Sequence, residues 1–317
     1  MSVLSDLELP EVPDPAVLAA WDEAGFPAGP GEDFAAYRAR LREKADAVEA
    51  LEKELSEHGE TTVFGSLKVS EKDRIPSGIL HEAAEITFPL YGFAFSRFPG
   101  FFLSENVGLL WGGCLITDTE SPLGVFFIRE SFRTRKRFFI YRRQELLAHE
   151  LCHAARHELA DWAMDEFFAY QTSPSRLRRY LGNCFIRQSD AIFFALPAIV
   201  LLAAQTAQSF LLPRLPIWPF WIAALGYPCL LFLRNHLGRR RLFRAEKNLT
   251  RFGMRNARAI LFRATGEERK ELAELKDQAG FAEFLKRHGE ELRWRVTLFR
   301  FGGTAADNPE KMLSKGC

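Results

Sequence analysis

The chain has 317 residues, 42 Lys plus Arg against 41 Asp plus Glu, and a formal net charge of +1. That near-neutral balance excludes a nucleic-acid binder as a global reading. Five cysteines, at positions 114, 152, 184, 229 and 317, are odd in number and lack C-x-x-C spacing, so neither a disulfide framework nor a cysteine zinc ribbon is expected and a reducing compartment is the simpler assumption.

Residues 1–32 are acidic and rich in Pro and Gly, with no apolar core of signal-peptide type. They read as a flexible segment, and the chain as one that starts in the cytoplasm. Phe34, Tyr37, Leu41, Val48, Leu51 and Leu55 recur at helical spacing and predict one helix over 33–58 with a solvated outer face of mixed charge. A further helix is expected over 77–91, where His81, Glu82 and Glu85 have no matching ligand set. Between 101 and 141 the texture changes to β, with strands predicted at 107–111, 124–128 and 138–141 separated by polar turns. An exposed edge there could bind an extended peptide by strand addition. The basic cluster Arg133, Arg135, Lys136, Arg137, Arg142 and Arg143 could instead face anionic lipid headgroups.

The stretch from Tyr141 to His157 carries the chemistry. It holds no Pro or Gly from 142 onward, and Leu146, Leu147, Leu151, Ala154 and Ala155 give a predicted helix one buried side. Within it His149-Glu150-Leu151-Cys152-His153 matches H-E-x-x-H. The two histidines, four apart, lie one above the other with Cβ atoms about 5–6 Å apart. Each can place a nitrogen about 2.0–2.1 Å from one zinc ion. Glu150, rotated about 100° from His149, is suited to take a proton from water at the metal. Cys152 points away from that direction and reads as packing.

A metzincin would need a histidine at 159 and a glycine at 156; Leu159 and Arg156 exclude that class. His157 is about 12 Å along the helix from His149, too far to share its ion. Glu166 follows His153 after room for one helix to finish, a turn, and a second helix to return. Asp165, beside it, stays open as an alternative ligand.

Here the sequence resembles the gluzincins, zinc metallopeptidases in which an H-E-x-x-H helix is followed by a second helix that donates a glutamate. Their W-x-x-[DN]-E-x-x-A-Y pattern is matched by Trp162, Asp165, Glu166, Ala169 and Tyr170. The resemblance covers about thirty residues and implies His149, His153 and Glu166 as zinc ligands and Glu150 as general base. It also implies a small zincin-like catalytic domain, placed at 33–180, in which a short sheet feeds the metal helix. The spacer is shorter than in the best-known members, which keeps Asp165 in play.

Ala191 to Pro213 carries no charge, and after Arg214 neither does Leu215 to Leu233. Each run is near the roughly 20 residues that cross a bilayer. Trp218 and Trp221 sit near the turn between them, Arg176, Arg178, Arg179 and Arg187 precede the pair, and Arg234, Arg239, Arg240, Arg241 and Arg244 follow it. The positive-inside rule then predicts a transmembrane helical hairpin over 190–234 with both ends and the metal helix on the cytoplasmic side. This order is also similar to membrane metalloproteases of the heat-shock and prenyl-processing type, which take their third glutamate from after the hairpin. The candidates there, Glu246, Glu267 and Glu268, stand in no E-x-x-A-D context. Residues 239–305 are expected to form a mostly helical cytosolic region, with a capping-box start at Thr265 and Glu268 and a helix at 281–288. His236 and His288 lack companion ligands, and 306–317 read as a tail.

The sequence therefore predicts a mostly helical α+β protein: a membrane-anchored zinc metallopeptidase whose partners are a peptide or protein substrate and the lipid bilayer, with no nucleic acid. Tyr170, His157 and Arg156 are the nearby candidates for stabilising the oxyanion. The alternatives are a non-catalytic scaffold stabilised by a closed zinc site, or a metal-free membrane-anchored protein that binds a partner through the helix at 33–58.

Overall fold

The computed structural model describes residues 11–103, 111–117 and 122–303. It is mostly helical, with three small sheets. Helix α1 (Pro15–Glu23) starts where the Asp14 carboxylate accepts from the Ala16 and Val17 N–H groups and Pro15 pre-sets the first turn. Of the flexible segment expected over 1–32, residues 1–10 lie outside the described residues, and the rest is corrected: Leu18 and Trp21 are buried against Tyr37, Leu41, Leu292 and Val296. Two large apolar side chains in a short acidic stretch suffice to anchor it.

Helix α2 (Phe34–His58) begins at the Asp33 cap and ends at Gly59, whose φ of +74° allows its N–H to close on the Leu55 carbonyl. Strands β1 (Glu60–Val63) and β2 (Leu67–Ser70) form a hairpin. Helix α3 (Ser77–Tyr91) matches its expected bounds. Strands β3 (Gly100–Leu103), β4 (Gly113–Thr117) and β5 (Gly124–Arg129) make a three-stranded sheet in the order β3-β5-β4. β3 runs parallel to β5 and β4 antiparallel to it, so among the described residues β4 is an edge. The strand expected at 107–111 falls outside the described residues, Trp111 excepted. The one expected at 138–141 is instead the hairpin of β6 (Arg137–Phe138) and β7 (Tyr141–Arg142), because Phe139 adopts a left-handed φ of +51°. Within the basic cluster, Arg133 pairs with Asp73 at 2.9 Å and Arg143 with Glu82 at 2.7 Å, so these two hold the fold together.

The metal-motif helix α4 (Arg143–Arg156) packs on α3 and is followed by α5 (Trp162–Tyr170) and α6 (Arg176–Leu181). Helices α7 (Gln188–Phe210) and α8 (Trp218–Arg251) run antiparallel: Tyr227 and Arg234 of α8 reach back to Asp190, at 2.8 and 2.7 Å. Among the described residues one helix, not the expected two, is long and apolar enough to cross a membrane. This is Ser189–Phe210, of hydropathy 1.8. Its 22 residues span about 33 Å. The second uncharged run loses residues 215–217 to the turn, and Trp218 to Leu233 covers about 24 Å before Arg234.

Beyond Arg234, α8 turns from exposed to buried, with Leu242, Ala245 and Leu249 inside. Helices α9 (Ala257–Arg263), α10 (Gly266–Glu274), α11 (Gln278–His288) and α12 (Leu292–Phe301) complete the same core as α3, α4 and α5. The Phe262 ring lies 4.3 Å from that of Tyr91. The C-terminal region thus closes the half that carries the H-E-x-x-H helix. It is held there by a buried charge cluster in which Arg263 donates to Asp22 at 2.7 Å and to the Tyr91 carbonyl at 2.7 Å, while Arg300 also reaches Asp22. Removing one member leaves the others charged and dry. Asp22→Ala is expected to cost roughly 3–5 kcal/mol in a denaturant titration. A loss below about 1 kcal/mol would show that water reaches these guanidinium groups.

Candidate metal centre

Local chain geometry brings the motif together. After α4 a single 3-10 turn, His157–Leu159, leads to Ala160 in the left-handed region at φ +47°, and α5 then doubles back. This reversal lays Glu166 across the two histidines. His149 Nε2 and His153 Nε2 are 3.2 Å apart. Glu166 offers Oε2 to His149 and Oε1 to His153, each at 3.6 Å. Donors 2.0–2.2 Å from a common ion would subtend angles of about 100–120° at these separations, close to tetrahedral. The three side chains can hold a metal ion. Two imidazoles and a carboxylate are a donor set that first-row divalent cations, zinc among them, accept.

The surroundings prepare the donors. Burial, with the neighbouring His153 and Arg178, pushes the His149 pKa well below its usual value, and burial takes His153 down to about 4. Both rings are therefore neutral near pH 7, with lone pairs to give. His149 also hydrogen-bonds the Ala169 backbone, which orients the ring. The Tyr170 ring packs edge-on against it, with centroids 4.7 Å apart. Gly182 permits that placement, since a Cβ there would meet the Tyr170 ring at 2.0 Å.

Asp165, the alternative ligand, is committed elsewhere. It receives Arg156 Nε at 2.7 Å, while the same guanidinium reaches Asp161 and the Phe262 carbonyl and stacks over Phe168 at 4.4 Å. Two of the three glutamates after the hairpin are also taken, Glu246 by Arg258 at 3.0 Å and Glu268 by Arg293 at 2.6 Å, and the third, Glu267, is exposed. His288 does acquire the companions that the sequence did not suggest, Glu268 and Glu291. Arg293 already stands between those carboxylates, 2.6 and 3.2 Å away, in the place of a cation.

Glu150 is buried, and its Oε2 accepts from the Leu115 N–H at 2.9 Å. Burial raises its pKa to about 7, the Leu115 bond opposing and Glu166 reinforcing the shift. The Leu115 bond follows from register. Gly112 accepts from the Arg129 N–H on the β5 side, so the alternate residues Gly113, Leu115 and Thr117 turn their polar groups outward. The site lies in a cleft of about 240 Å³ lined by Gly113, Tyr141, Tyr170 and Arg178 besides the motif. Of the three oxyanion candidates only Tyr170 lines it: Arg156 is fully buried, and His157 faces a different cavity. Arg178, which the sequence offered only as a membrane-flanking charge, stands in this cleft, paired with Glu145 at 2.6 Å.

No family model, curated protein or solved structure matches this chain. The geometry therefore speaks for itself.

Burial, with Asp165 nearby, raises Glu166 to about 7 in the metal-free protein. Below that pH a proton must leave before a cation enters, and below about 4 His153 must lose one too. Affinity for added zinc, measured by competition with a chromogenic chelator, is expected to be flat above pH 7 and to fall about tenfold per unit from 7 to 5. An affinity unchanged across that range would remove Glu166 from the ligand set.

Proposed function

We propose that this protein is a membrane-anchored zinc metallopeptidase with its active site on the cytoplasmic side. One observation carries the reading: three donor side chains converge while a second carboxylate, Glu150, lies beside them, hydrogen-bonded to an edge strand. Among the described residues the cluster has three protein donors, not the four that close a structural zinc site.

Zinc, when bound, supplies a Lewis acid that polarises the scissile carbonyl and makes water acidic enough to ionise near neutral pH. Everything else falls to the chain. His149, His153 and Glu166 hold the ion. The outward polar groups of Gly113 and Thr117 on β4 pair with an extended peptide and lay its backbone across the cleft. Glu150, its pKa about 7, accepts the proton of the attacking water and returns it to the leaving amine. The Leu115 N–H fixes that carboxylate, and Tyr170 supports the His149 ring.

The membrane part of the reading rests on α7, whose Ile192, Phe193, Leu196, Ile199 and Leu202 are all exposed. The antiparallel α7–α8 pair is a hairpin whose second arm reaches full depth with Leu215 to Ile217 of the turn and Arg214 extended to the interface. Arginines bracket the root of both arms, which puts the catalytic half on the cytoplasmic side.

Detergent-purified wild type is expected to hold one zinc per chain, lost in His149→Ala and in Glu166→Gln. Glu150→Gln is expected to keep the metal while hydrolysis of unfolded casein falls by about 10²–10⁴. A wild type that takes up no zinc, or undiminished cleavage by Glu150→Gln, would end the peptidase reading. Separately, the full chain is expected to stay with the membrane pellet through an alkaline carbonate wash; release into the supernatant would reject the anchor.

A further inference from the structure

Helix α2 is fastened at its two ends and bridges open space between them. Its first turns bury Tyr37 and Leu41 against Trp21 and Leu292, and its last turns bury Leu51 and Leu55 against Val63, Val69 and Phe127. In the intervening turns no apolar side chain is fully buried; Lys44, Ala45, Ala47 and Val48 are only partly covered. Beneath them lies a cavity of about 820 Å³, within the roughly 300–1,000 Å³ typical of ligand sites.

The cavity has a charged roof and an apolar floor. Arg40, Lys44, Val48 and Glu52, spaced four apart on one face of α2, line it from above. Its floor is Ile75, Leu80, Phe95 and Phe98. The roof charges are already matched to the body: Lys44 and Arg40 pair with Glu158 at 3.2 and 3.5 Å, and Glu52 with Arg74 at 2.5 Å. Matched charges give little selection for a charged ligand, so the phenylalanine-rich floor sets the chemistry. These pairs are partly exposed and individually weak, so the roof can lift slightly without losing its buried ends.

The cavity and the metal cleft meet at β4. Leu115 lines the cavity while its N–H bonds Glu150, and Ala154, which also lines it, directly follows His153. A chain laid along the outer edge of β4 from Gly113 to Thr117 therefore runs from the cleft into the cavity.

We propose that the space under α2 is a binding channel for an extended, unfolded peptide segment carrying large apolar side chains, threaded beneath the helix to reach Glu150. Its catalytic meaning rests on the peptidase reading; its binding does not. Because α2 is anchored at both ends, a folded domain cannot enter, and only a terminus or a flexible segment fits.

The test uses the full chain in detergent, in a Glu150→Gln background, with fluorescein-labelled unfolded casein as the probe. Val48→Trp, filling the channel from the roof, is expected to weaken binding by anisotropy at least tenfold with zinc content and melting temperature unchanged. Thr117→Trp fills it from the opposite wall, is expected to do the same, and carries the test if Val48→Trp destabilises the fold. Undiminished casein binding in the variant that folds, or no saturable binding in the background itself, would overturn the channel. Binding that depends on Val48 or Thr117, with no hydrolysis by the zinc-loaded protein carrying Glu150, would leave the channel standing and refute the peptidase.

Discussion

The structure depends on one buried cation. Arg156 is fully removed from solvent at the end of the metal-motif helix, and it is tolerable there because each of its three nitrogens finds an acceptor: Asp165, Asp161 and the Phe262 carbonyl, with Phe168 and Phe262 rings on its faces. Through Asp165 it fixes the helix that carries Glu166. Through Asp161, which also receives Arg269, it ties that helix to α10 in the C-terminal region. The distance between the histidines and the third donor is thus set by a charge network that touches no ligand. Second-layer groups of this kind are what hold donors to within a few tenths of an ångström.

The same logic explains why the chain after the apolar helices folds back. Helix α8 passes without interruption from an exposed apolar half into the core, where it packs on α9 and α10 and buries Leu242, Ala245 and Leu249. A rigid element shared by the exposed apolar hairpin and the core fixes the one with respect to the other. At their junction Arg234 closes on Asp190 and on the Cys184 carbonyl, so a charge at the root is satisfied from within. The metal cleft is close to this root, since Arg178 belongs to the short helix leading into α7.

Among the described residues strand β4 pairs on one side only, which leaves alternate polar groups outward, and one of them, the Leu115 N–H, orients the buried Glu150 carboxylate. A neutral-to-charged balance near pH 7 for Glu150 follows from burial, the dominant cause, opposed by that single hydrogen bond. The Glu150 carboxylate, the cleft and the cavity beneath α2 all adjoin this one short strand.

By itself the sequence determined the local features. The bounds of α2 and α3, the Thr265–Glu268 capping box and the shared face of His149 and His153 are all written in periodicity and caps, because these interactions reach no farther than four residues. Spacing and resemblance also singled out Glu166, yet left Asp165 open, since adjacent carboxylates differ only in which way their helix faces. Tertiary structure sets Glu166 beside the two histidines and pairs Asp165 with Arg156. It alone decided that residues 15–23 are anchored by Trp21, that the second apolar arm is shortened by its turn, that Glu268 and Glu291 gather around His288 and Arg293, and that Arg178 faces the cleft. Each of these depends on contacts between residues far apart in the chain, and no local pattern encodes which distant partner will arrive.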